Sequence, residues 1–105
     1  MPPPSESYAY EKLLEAVNAL ATSHGRLQDR LSDAASFLIR LQPADFPDDL
    51  RRIFEGVIDD LTFGQAQGEE GQIVATMKGT SDDDAKAIAT RIFSLFVEMA
   101  RRDAA

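Results

Sequence analysis

Residues Ser81 to Arg102 read SDDDAKAIATRIFSLFVEMARR, and this run specifies one long helix. Ser81 is placed to cap it, and Asp84 to reach back three residues, a capping box with Asp in place of the usual Glu. Asp82, Asp83 and Asp84 stand where the helix dipole is positive, and Arg101 and Arg102 where it is negative. Between these ends Ala85, Ile88, Ala89, Ile92, Phe96 and Met99 recur at the helical period. Phe93, Leu95 and Val97 widen the apolar stripe past half the circumference. A helix this apolar needs cover on several sides, which predicts that it is the central helix of a small bundle.

The rest of the chain supplies the cover. The spacing predicts a helix over 7–23, with Tyr10, Leu13, Leu14, Val17, Leu20 and Ala21 on one side and Glu6, Glu11, Lys12, Glu15 and Asn18 on the other. His24-Gly25 ends it, since glycine accepts the left-handed conformation past a last turn. A second helix is expected over 26–41, where Leu27, Leu31, Ala34, Leu38 and Leu41 alternate by four and three like one side of a coiled coil. Pro43 and Pro47 interrupt the chain, each disfavouring a helical residue before it. Asp45 is placed to cap a third helix over 47–61, whose stripe is Leu50, Ile53, Phe54, Val57, Ile58 and Leu61. The glycines of 64–71 mark a loop.

Residues 72–78 fit a strand as well as a helix by periodicity. Glu69 and Glu70 before them, with Lys78 and Gly79 behind, are helix-end signals, and a lone strand has no partner to pair with. A short helix over 69–78 is therefore expected, with Ile73, Val74 and Met77 on one face. The sum is an all-α fold: a small helical bundle of four main helices plus one short helix, in a single domain over 7–105. A disordered, proline-rich tail is expected at 1–6.

Composition narrows the function classes. The chain of 105 residues has no cysteine, which removes disulfides, thiol nucleophiles and thiolate metal sites and suits a reducing compartment. No apolar run approaches the roughly 20 residues that span a bilayer. Met1-Pro2-Pro3-Pro4-Ser5 lacks the basic-then-apolar order of a secretory signal, so a cytoplasmic location is expected. A net charge of −7 opposes phosphate backbones and anionic membranes, and it permits a basic partner.

Three chemistries have residues to carry them. Glu11 with Glu15, and Glu55 with Asp59, are carboxylate pairs one helical turn apart. Brought together they would offer Mg²⁺ or Mn²⁺ the oxygen ligands of a metal-dependent all-α hydrolase. Small all-α nucleotide pyrophosphohydrolases use this principle with Glu-x-x-Glu and Glu-x-x-Asp arrangements, which do not occur here in that order. Ala21, Gly25 and Leu31 stand at helix-turn-helix spacing, which would make Arg26, Gln28 and Arg30 DNA-reading side chains. Against this, His24 and Arg26 occupy positions that the motif fills with apolar residues.

The third chemistry is contact with another protein. Tyr8 and Tyr10 lie two residues apart, so a helix cannot point both into one core, and Phe46 and Phe63 flank the third helix near its ends. These four form the expected interaction surface, although Phe46 and Phe63 also suit plugs at the bundle ends. With one histidine and no cysteine or tryptophan, catalytic residue types are scarce. The sequence thus favours a non-enzymatic module without cofactor or metal, binding a partner protein, either another protein or a second copy of itself.

Overall fold

The computed structural model describes residues 4–63 and 69–104, and every regular element among them is helical. The elements are α1 (Pro4–Thr22), α2 (Leu27–Leu38), a 3-10 turn (Pro43–Asp45), α3 (Asp48–Thr62), α4 (Glu69–Lys78) and α5 (Asp82–Ala104). Ser81 opens α5 as its position suggests, its Oγ accepting from the Asp84 N–H at 3.1 Å. The 23 residues of α5 nearly match the 39 Å long axis of the molecule. Its buried face is Ala85, Ile88, Ile92, Leu95 and Met99, covered by α1, α2 and α3.

Helix α1 begins at Pro4, three residues before the periodicity predicts. Proline suits a first turn, where its missing N–H costs nothing, and Glu6 adds an acid at the positive dipole end. Residues 4–6 are thus helix rather than tail, and 1–3 lie outside the described residues. The buried side of α1 also differs from expectation. It is Ala9, Leu13, Ala16 and Ala19, while Leu14 is 46% exposed and Ala21 is exposed. The alanines decide this rotation. On α2, Ala34 and Ala35 are likewise fully buried, and small side chains on both helices let the backbones approach closely.

Gly25 makes the reversal between α1 and α2 with φ of +100°. A Cβ there would lie 2.8 Å from Asp29 Oδ2, so the site excludes side chains by conformation and by space. Asp29 occupies that space because it accepts the Arg26 N–H at 3.1 Å and caps α2. Helix α2 ends at Leu38, short of the expected Leu41, but Leu41 stays buried in the following turn.

The connection into α3 corrects a second expectation. Asp45 does not cap α3; it accepts the Gln42 N–H at 2.8 Å and closes the 3-10 turn. Arg51, one turn into α3, donates from Nε to the carbonyls of Pro43 at 3.1 Å and Phe46 at 3.0 Å. Helix α4 forms where its end signals put it, but it buries Ile73, Thr76 and Met77 and leaves Val74 outward. Gln72 ties it to α3 by donating from Nε2 to the Thr62 carbonyl.

Candidate interaction surface

The four aromatics expected at the surface divide. Phe46 is fully buried and stacks on Phe54 with centroids 4.5 Å apart, so it belongs to the core. The loop turns inward because Arg51 holds its carbonyls, and burying a phenyl ring is worth roughly 1.5–3 kcal/mol. Phe63, following α3 in a helical conformation, is 72% exposed. Tyr8 and Tyr10 point to different flanks of α1. Tyr8 is 40% exposed with Lys12 Nζ 5.6 Å from its ring centroid, and Lys12 also pairs with Glu15 at 3.0 Å. Tyr10 is half-buried and stacks on Phe96 of α5, 5.8 Å between centroids and 11° between planes.

That stack defines a surface of which the sequence singled out only Tyr10. Tyr10 faces Phe96, and Arg26 in the turn after α1 donates to Asp82 at the start of α5, so α1 and α5 run antiparallel along this seam. One turn along α1 from Tyr10 stands Leu14; one turn back along α5 from Phe96 stands Phe93, 6.4 Å from the Phe96 ring. Phe93 is 53% exposed and Leu14 46%. Half-buried Val17 and Val97 extend the same faces. The signal for this patch was the stripe on α5, wider than a bundle of this size can cover.

A different kind of site lies across α3. A cleft of about 310 Å³ is lined by Ile39, Leu41, Pro43, Phe54, Ile58, Thr62, Gln72 and Ile73, with Glu55 and Asp59 among the lining residues. Leu41, Phe54 and Ile73 are buried, whereas Glu55 and Asp59 are exposed. The other acids of α3 have arginine partners: Asp48 with Arg51 at 2.6 Å, Asp49 with Arg102 in a two-bonded fork at 2.7 and 2.8 Å, and Asp60 with Arg91. Among the described residues, Glu55 and Asp59 have none.

Two charge pairs carry perturbed acids. The Arg102 fork holds the Asp49 carboxyl below its ordinary value and raises Arg102 in return. Asp82 is also lowered, first by the Gln28 amide, which donates to it at 2.8 Å, and then by Arg26 at 3.1 Å. Gln28 donates as well to the Thr80 carbonyl at 3.1 Å, which joins the starts of α2 and α5.

These contacts engage the side chains that the DNA-reading alternative would use. Gln28 is buried, and Arg30 donates from Nη1 to the Leu20 carbonyl at the end of α1, so both are engaged inside the fold. Arg26 faces Asp82. The four carboxylates of the hydrolase alternative do not form one cluster. Among the described residues, no three acids or histidines gather in a group able to hold a metal ion. Glu55 and Asp59 stay together on the α3 cleft, while Glu15 lines a shallow depression between α1 and α2.

In comparisons with protein-family models, curated proteins and solved structures, nothing matches this chain. Among the described residues, no helix is long and apolar enough to cross a membrane.

Proposed function

We propose that this chain is a small acidic protein-binding module of the cytosol that associates with a second copy of itself through the α1–α5 face. The observation that carries this reading is the exposure of Phe93 and Leu14 beside the stacked Tyr10 and Phe96. Interface cores are enriched in aromatic residues and depleted in charge, and this face has that composition.

Its geometry suits a two-fold contact. Leu14 and Phe93 lie level with one another on antiparallel helices. Rotation about an axis parallel to the helices therefore sets Leu14 of each copy over Phe93 of the other. The face is bordered by exposed Glu11 on α1 and exposed Lys86 on α5. The cysteine-free sequence suits the reducing conditions of the cytosol.

Light scattering across a concentration series tests the reading. The wild-type chain is expected to reach twice the monomer mass, and Leu14→Glu with Phe93→Glu is expected to stay monomeric while keeping its helical circular dichroism. A wild-type chain that remains monomeric at high concentration overturns self-association.

A further inference from the structure

We propose that the α3 cleft docks a basic amphipathic segment of a partner protein. One apolar side chain would enter the cleft, and a lysine or arginine would lie against Glu55 and Asp59. The cleft shares no residue with the α1–α5 face, so this inference goes beyond self-association and stands or falls separately.

The argument rests on charge and shape together. Asp48, Asp49 and Asp60 each face an arginine, but among the described residues Glu55 and Asp59 face none. Asp59 also sits in the last turn of α3, where the helix dipole is negative and an acid is locally unfavourable. A cation supplied from outside relieves both deficits. The two carboxylates are one turn apart on the helix whose Phe54 and Ile58 form the apolar lining beside them, so an apolar and a basic side chain can engage at once.

The volume favours an anchor side chain over a whole small ligand. About 310 Å³ lies at the bottom of the range that encloses drug-sized molecules, roughly 300–1,000 Å³. The net charge of −7 adds a long-range pull on a basic partner.

The experiment is a titration of the ¹⁵N-labelled full chain, at physiological ionic strength, with a short amphipathic helical peptide of leucine, lysine and alanine. Binding is expected to shift the amide resonances of Ile39, Ile58, Thr62 and Ile73. Glu55→Gln with Asp59→Asn is expected to weaken affinity about tenfold, as the loss of two partly screened ion pairs predicts. Glu11→Gln with Glu15→Gln removes the same charge from a helical pair away from the α3 cleft and is expected to leave affinity unchanged. A peptide with serine for leucine is expected to lose the site-specific shifts. The proposal is overturned by absence of binding, by shifts centred elsewhere, by equal losses in the two double variants, or by undiminished binding of the serine peptide. All four substitutions are at exposed helix positions, and circular dichroism checks that each variant is folded.

Discussion

The two ends of α3 carry the same ingredients, an aromatic residue next to the helix and acids within it, and use them in opposite ways. At the start, Phe46 is buried against Phe54, Asp48 faces Arg51, and Asp49 is held in the Arg102 fork. There the acids also meet the positive end of the dipole. At the finish, Phe63 projects outward, Asp60 meets Arg91, and among the described residues Asp59 has neither an arginine nor a favourable dipole. The first end is built for stability. The second keeps a locally unfavourable charge beside an apolar cleft, the feature on which the proposed docking of a basic segment rests.

The largest test of that contrast is aromatic truncation. Phe46→Ala is expected to lower the unfolding free energy by about 3–5 kcal/mol, because it leaves a cavity against Phe54. Phe63→Ala is expected to change it by less than about 0.5 kcal/mol. Urea unfolding measures both, and a comparable loss at Phe63 would break the contrast. Next in size, Arg51→Met removes the donor that holds the Pro43 and Phe46 carbonyls, with an expected loss of about 1–3 kcal/mol. A fully stable Arg51→Met chain would mean that Phe46 packing alone fixes the loop.

Charge neutralisation at the finish is expected to act in the other direction. Asp59→Asn should stabilise by about 0.3–1 kcal/mol at neutral pH and low salt, read as a raised thermal midpoint. A lowered midpoint would show that Asp59 has a stabilising contact. The smallest effect concerns acid. Asp49 titrates below 3.8 in the folded chain, chiefly through its hydrogen bond to Arg102. Its stabilising contribution is therefore complete above 3.8 and is lost as pH falls through the lower folded value. Arg102→Gln should return the Asp49 carboxyl to its ordinary range in an NMR titration, with a modest change in stability because the pair is solvent-exposed.

How much of this was legible in the residues depends on the range of the interaction concerned. Ser81 accepts from the amide three residues away, Gly25 takes the positive φ that its turn requires, and α4 forms between its charged end residues. Each involves neighbours within a turn or two, so the sequence states it directly. Leu14, Phe93 and Ile53 satisfied the helical period as well as their buried neighbours did, and yet they face outward. Periodicity names an apolar stripe, but only the number and closeness of the packed helices set how much of it is covered. The Arg51 clamp was invisible because an arginine side chain has many partners within reach.

By itself, then, the sequence determined the all-α class, the helix order and most helix ends, because caps, glycine turns and period act locally. The tertiary structure decided which face of each helix is sealed, turning α1 on its alanines and leaving Leu14 and Phe93 exposed beside the α1–α5 stack. It also separated the Glu55–Asp59 pair from the acids of α1 and set that pair on a cleft. The physical reason is that burial and charge pairing depend on residues far apart in the chain, and their distances are fixed only when the helices pack.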